Sequence, residues 1–237
     1  MWPSSCVACT PSRARRSTVW VVAAHPLRTI LEDAARGRFP PQDGEVRVVP
    51  PAPGRSDAVV AFTRHHLIAA DVDAEEVRCH LPDGDLAAPL SPAFLAWLGD
   101  RIGSAPGSVD VVLAASGRAV GPDDPPLRVA GATLHDRVER AERYRDDVAV
   151  YADADGVAVI ALGRGLAGRR ELALEIDEAA RGRGVGRRLI LAARALVPTE
   201  EFVFAQVAPG NAASLRAFLA AGFAPVGSEV LFLRGAG

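Results

Sequence analysis

The chain has 237 residues, 49% of them apolar and 24% charged, with a formal charge of −2. That is the composition of a globular protein with length enough for a packed core, and it offers no basic field for nucleic acid. All 27 basic residues are Arg, so a Walker-A lysine, a Schiff-base lysine and a kinase-type phosphate lysine are excluded.

Taken in chain order, residues 1–16 read as a disordered extension, since their polar start lacks the basic-then-apolar order of a secretory signal. They contain Cys6 and Cys9, which with Cys79 are too few for a disulfide framework and fit a reducing cytoplasm. A closed zinc site would need the distant Cys79-His80 to complete it, so no metal is expected. "STVWVVAA" (17–24) predicts a strand, and "HPLRTILEDAAR" (25–36) predicts a helix from the spacing of Leu27, Ile30, Leu31 and Ala34. "EVRVV" and "DAVVAFTRHHLIAAD" predict strands split by a turn. "SPAFLAWLGDRIG" predicts a helix capped by Ser91 with Pro92 in its first turn. His65, His66 and His80 read as core or surface histidines. "VDVVLAA" (109–115) is a further strand, and "GPDDPP" (121–126) is the strongest linker signal.

Beyond the linker, Leu134, Val138, Ala141 and Tyr144 mark an amphipathic helix. Its Arg residues are mixed with acids, which reads as a solvated face. Residues 148–162 predict two strands joined at Asp155-Gly156 by a two-residue type I′ turn. "ELALEID" (171–177) alternates, with Leu172, Leu174 and Ile176 on one face and Glu171, Ala173, Glu175 and Asp177 on the other. A helix ("RRLILAARALV"), a strand ("EFVFAQV"), a helix with Asn211 as N-cap and Gly222 as its stop, and a last strand ("VLFLR") complete the pattern. The division is therefore an N-terminal α/β region (17–120) of unclear fold, open to being a degenerate duplicate, and a C-terminal α/β domain (127–237). No apolar run reaches the roughly 18 residues of a membrane helix, and no membrane partner is expected.

Two glycine loops compete for a phosphate. "GRGLAG" (163–168) spells the dinucleotide fingerprint. It is followed by a strand pattern where a helix is required, and by Arg187-Arg188 where an acid should meet the ribose. It reads as a flexible connection between strands. "RGRGVG" (181–186) stands between a strand and a strongly periodic helix. There the first helical N–H groups lack partners and the dipole is positive, so successive N–H groups can converge on oxyanions.

Arg181, Gly182, Arg183, Gly184, Val185 and Gly186 resemble the R/Q-x-x-G-x-G/A pyrophosphate loop of the GNAT (Gcn-related N-acetyltransferase) superfamily. "VAPGNAASLRAFLAAGFAPVG" resembles its strand–Asn–helix–Gly-Phe segment. The resemblance runs from about Leu134 to Arg234. It implies a mixed, curved α/β sheet with helices on both faces, two splayed parallel strands, and acetyl-CoA as co-substrate in the gap. It places Ile176 and Asn211 beside the pantetheine and the loop from Arg181 to Gly186 at the pyrophosphate, with Phe218 also on the cofactor side. It implies acetyl transfer to an amine, small-molecule or peptide; the Arg, Ala, Gly and Pro bias of the sequence fits a bacterial source and its scarce cysteines a cytoplasmic one. For the base we take Glu171 first and Glu175 second, with partial burial raising the carboxyl pKa. Phe218 stands where relatives carry a Tyr acid, which leaves a non-catalytic acetyl-CoA-binding regulatory module as the alternative. The segment after Phe223 is short, so the last hairpin is either abbreviated or completed by a partner chain in a homodimer.

Overall fold

The computed structural model describes residues 24–131 and 135–235. The Cys6/Cys9 pair, Leu134 and all but Ala24 of the strand expected at 17–24 lie outside them. Alternating β-branched segments form one ten-stranded mixed sheet among the described residues. Its strands are β1 (Val46–Val49), β2 (Ser56–Phe62), β3 (His65–Ala69), β4 (Pro106–Ser116), β5 (Leu127–Val129), β6 (Asp146–Asp153), β7 (Ala158–Arg164), β8 (Arg170–Ile176), β9 (Phe202–Val207) and β10 (Ala224–Leu233). Their spatial order is β1-β3-β2-β10-β4-β9-β8-β7-β6-β5. Only β1/β3 and β8/β9 are parallel.

Among the described residues six α-helices cover the two faces: α1 (Pro26–Ala35), α2 (Ala74–Cys79), α3 (Pro92–Ile102), α4 (Asp136–Tyr144), α5 (Val185–Arg194) and α6 (Ala212–Ala220). Strand alternation sorts them. Ala58, Val60, Val112, Ala114 and Phe204 pack with Leu27 and Leu31 of α1. The intervening Val59, Val230 and Phe232 meet α2 and α3, while Leu113, Val203 and Ala205 meet α5 and α6. α4 lies over β6, β7 and β8, on the α1 side.

The predicted helices keep their caps. Ser91 Oγ accepts from Phe94 N at 3.3 Å, and Asn211 Oδ1 accepts from Ser214 N at 3.1 Å. Two elements escaped the pattern. α2 has six residues, too short for a periodicity, and rests on Asp73, whose carboxylate caps Glu75 N and Glu76 N. β5 has three residues and exists through its pairing with β6. The β6–β7 connection is longer than the expected two residues. Asp155 keeps negative φ and only Gly156 is left-handed, at φ +68°, because Asp153 Oδ1 caps Ala158 N at 3.0 Å. That is incompatible with type I′, which needs positive φ at both central residues. His65 and His66 are buried on β3, and His80 stacks on Trp97 with ring centroids 3.9 Å apart.

The last strand overturns the expected abbreviated or partner-completed hairpin. β10 is ten residues long and lies between β2 and β4, antiparallel to both. The closing strand comes from the chain's own N-terminal half, and β4 pairs on its other edge with β9. A fragment of residues 121–237 would leave β10 unpaired on both edges and strip the apolar cover from Val230 and Phe232. It is expected to lose cooperative thermal unfolding and native near-UV circular dichroism, whereas the full chain shows both.

Candidate active site

Parallel β8 and β9 hold register only at Arg170↔Val203 and Glu171↔Phe204. From Leu172 onward β8 has no register with β9, so one backbone edge of residues 172–176 faces a gap. Charged groups occupy this fork. Arg145, which ends α4, donates through Nε to Glu171 Oε2 on β8 at 2.9 Å and through Nη2 to Gln206 Oε1 on β9 at 3.1 Å. Arg169 donates to Glu171 Oε1 at 2.8 Å and to Glu229 Oε1 at 2.6 Å, and Gln206 Nε2 also donates to Glu229 Oε1 at 3.0 Å. Arg169, Glu171 and Glu229 are each 1% exposed.

Glu171 therefore does not stand as the expected base. Burial pushes its carboxyl up, but Arg169 and Arg145 with their hydrogen bonds outweigh burial and hold it below its ordinary value. Burial likewise opposes the charge on Arg169, which Glu229 and Glu171 restore, raising its pKa. Both oxygens of Glu171 are already accepting from structural donors. Glu175 lies further along β8, half-exposed, and pairs with Arg137 at 3.0 Å.

The loop "GRGLAG" does cradle an anion, but an internal one. Leu166 N donates to Glu171 Oε1 at 3.2 Å, and a Cβ on Gly165 would fall 2.2 Å from the Glu171 carboxyl carbon. The connection is a buried turn, with Leu166 and Ala167 2% and 3% exposed, rather than the flexible link expected.

"RGRGVG" stands at the open end of the fork. Gly182 and Gly184 are left-handed, at φ +77° and +73°, and nothing lies within 4 Å of where their Cβ atoms would be. Gly186 has a packing role: a Cβ there would lie 3.2 Å from Ile176 Cδ1 and 3.5 Å from Ala217 Cβ. α5 starts at Val185 with no side-chain cap. A cleft of about 710 Å³ is lined by Ile176, Arg181, Gly182, Gly184, Val185, Gly186, Asn211 and Phe218, together with Glu175 and Arg187. Of the expected cofactor residues, Arg183 alone faces elsewhere. Its guanidinium donates to Ala179 O, and it lines a separate small pocket with Asp153 and Asp155. Phe218 is 5% exposed and meets Phe223 edge-on at 4.9 Å.

A second cleft, of about 380 Å³, opens between α4 and the middle of the sheet. It shares Arg137, Leu174, Asn211, Ser214 and Phe218 with the first, so the two meet at the fork. Its far wall comes from β4 and carries Ser108 and Asp110; its α4 wall carries Arg140 and Tyr144. Asp110 sits opposite Glu229 in the β10–β4 register. Burial raises its carboxyl pKa and Glu229 adds to the shift, against smaller opposing effects of Arg140 and Ser108. Nothing in the sequence marked Asp110, because it lies outside the GNAT-like span and reaches the fork only through the insertion of β4.

Residues 124–223 match the family model described as "Acetyltransferase (GNAT) family". The C-terminal half is GNAT-like. Among solved structures, similarity extends to a GCN5-related N-acetyltransferase from Kribbella flavida (16% identity, 60% of this chain and 64% of that one, TM-score 0.36). It extends also to an acetyltransferase from the GNAT family from Colwellia psychrerythraea (12% identity, 61% and 63%, TM-score 0.37). A GCN5-related N-acetyltransferase from Sphaerobacter thermophilus is similar at 17% identity, over 61% and 56%, with TM-score 0.38. The chain spans less than two thirds of the length of each of these three. No curated protein matches it.

Removing Glu171's charge leaves the buried Arg145 without an anionic partner and Arg169 with Glu229 alone. Glu171→Gln is expected to destabilise the fold by about 3–5 kcal/mol in urea titration, the usual cost of breaking a buried pair from one side. Because the folded pKa lies below the unfolded one, the stability from Glu171 is present above the unfolded value and lost as pH falls through the folded one. Wild type should therefore approach the variant's stability in acid. Gly165→Ala, whose new methyl would overlap the same carboxylate, is expected to lower the melting temperature with the Glu171 network as its cause.

Proposed function

We propose that the protein transfers an acetyl group from acetyl-CoA to an amine. The observation that carries this reading is the meeting of two clefts at the point where β8 and β9 part. The family match over residues 124–223 supports acyl transfer in general; the donor and the acceptor type are inferences from the clefts.

The larger cleft fits the donor. Two left-handed glycines with open space above them and the uncapped start of α5 offer converging N–H groups for a pyrophosphate, with Arg181, Arg187 and Arg216 lining the same wall. The free edge of residues 172–176 offers N–H and C=O groups for the amides of a pantetheine arm, and Asn211 stands across the gap. Acetyl-CoA, when bound, would supply a thioester whose acetyl carbon bonds to the acceptor nitrogen as the carbon–sulfur bond breaks and the coenzyme leaves as its thiolate.

The chain's own contribution is to deliver a neutral amine there and exclude water. We assign the proton-accepting role to Asp110, whose raised pKa brings it nearer the working range of a base than an ordinary Asp. Tyr144, also in the second cleft, is the phenol nearest in role to the Tyr that Phe218 replaces. Phe218 itself favours the second reading, an acetyl-CoA-binding module without turnover, since its buried ring has no proton to give.

Ligand-induced stabilisation tests the donor. Saturation with acetyl-CoA at about 100 times its Kd should add about 2.7 kcal/mol, or about 5–10 °C for a chain of this size. NAD should give no shift, because the fingerprint loop is filled by Glu171; absence of a shift with every coenzyme A ester would sink the proposal. In a thiol-release assay across an amine panel, Asp110→Asn is expected to lower kcat/KM by about 100-fold or more. It should also abolish the acid limb of the pH–rate profile. In wild type that limb lies above the ordinary Asp range, since a raised pKa means the carboxylate is lost at a higher pH as the medium is acidified. Coenzyme binding with no thiol release for any amine would select the second reading.

A further inference from the structure

We propose that the acceptor is an amine that also carries a carboxylate, bound in the second cleft as a zwitterion with its ammonium toward Asp110 and its carboxylate toward Arg140 and Arg145. The inference rests on the acetyl-transfer reading and narrows its substrate class.

The charges of the cleft divide into those already neutralised and those left over. Glu175 is matched by Arg137. Glu171 is matched by Arg145 and Arg169, and Glu229 by Arg169. Arg169 Nη1 and Glu229 Oε2 also lack partners among the described residues, but neither residue lines the second cleft; what remains there is one carboxyl on the β4 wall and guanidinium capacity on the α4 wall. Arg140 has no ion-pair or hydrogen-bond partner among the described residues. Its nearest described interaction is with the face of the Tyr144 ring, 5.2 Å from the centroid. It lies one turn before Tyr144, and Arg137, Arg140, Ala141 and Tyr144 present one helical face to the cleft.

Arg145 supplies the independent observation. Its side chain is 9% exposed and lines the same cleft, yet Nη1 is buried with no partner among the described residues. A buried guanidinium donor without an acceptor is costly, and such groups in folded proteins ordinarily meet a partner. An incoming carboxylate gives Arg140 and Arg145 a common acceptor on a wall with no other anion to spare.

The opposite wall sets the other half of the specificity. Asp110 is the one carboxylate of the cleft not held by an Arg in an ion pair, and it stands in β4 one residue beyond the pairing with β9, at the end of β9 that has parted from β8. An ammonium fits there. A diamine would place its second ammonium against Arg140 and Arg145, and a simple amine would leave those guanidiniums without an anion. Both are disfavoured by charge alone, which is specificity through repulsion as well as attraction.

The test uses the full chain saturated with coenzyme A and matched triads: an amino acid, its carboxamide, and the amine lacking the carboxyl carbon, with small, aliphatic and aromatic side chains. Isothermal calorimetry reads binding, and thiol release with acetyl-CoA reads kcat/KM. In at least one triad the acid is expected to bind at least 10-fold tighter than its amide, with the plain amine weakest and kcat/KM in the same order. Arg140→Gln, on an exposed site, is expected to keep the melting temperature and bring the acid-to-amide ratio close to one. The inference is overturned if amides or plain amines bind as well as acids in every triad, if no acid binds, or if Arg140→Gln preserves the ratio. Failure is separable from failure of the parent reading: no thermal shift with coenzyme A overturns both, whereas a shift without acid preference overturns this inference alone.

Discussion

Arg145 bridges two strands at the point where they stop pairing. A parallel pair that parts halfway leaves its backbone groups without a ladder, and a gap in the middle of a sheet must be held open against collapse. Here a guanidinium at the end of α4 reaches Glu171 on one strand and Gln206 on the other, while Arg169 ties Glu171 to Glu229 three strands away. Such a network is a weak source of net stability, since desolvation offsets most of the Coulomb gain. Its geometry is another matter, because a fully engaged carboxylate and a forked cation admit few alternative arrangements. Both clefts depend on it: one ends at the fork, and the other has the network as its floor.

The same network joins the two halves of the chain. Glu229 belongs to β10, and β10 has its neighbours β2 and β4 from the N-terminal half. β4 carries Asp110 into the second cleft and pairs with β9 along the edge opposite the fork. The GNAT-like span thus lines the larger cleft, and the second cleft takes one wall, with Ser108 and Asp110, from sequence outside that span.

The two glycine loops show how one physical device serves two ends. In each, a glycine leaves the space beside the backbone N–H groups clear of a β-carbon. At Gly165 the anion is Glu171, which accepts hydrogen bonds from Arg145, Leu166 and Arg169 within the fold. At Gly182 and Gly184 the space above the backbone is open, and the helix behind it has no side chain capping its first turn. A spelling cannot separate these cases, since each needs only that the glycine be present.

Local order was legible in the sequence. The periodicities of α1, α3, α4, α5 and α6, the caps at Ser91 and Asn211, and the strand–loop–helix context of "RGRGVG" follow from interactions within a few residues, and eight of the nine expected cofactor residues gather on one cleft because that context is itself local. Glu171 and Asp110 were misjudged or missed for the converse reason. The alternation of β8 correctly assigned Glu171 to the face opposite Leu172, but whether that face met solvent or two arginines depended on residues 26 positions before it and 58 after it, Arg145 and Glu229. Asp110 looked like one polar residue in a strand of the wrong half. Sequence alone determined the long periodic helices and the alternating strands, though not the short α2 and β5, and where an uncapped helix start follows a glycine loop. Only the tertiary structure decided which carboxylate is held and which is free, because a charge takes its role from partners that the fold, not the neighbouring chain, brings within reach.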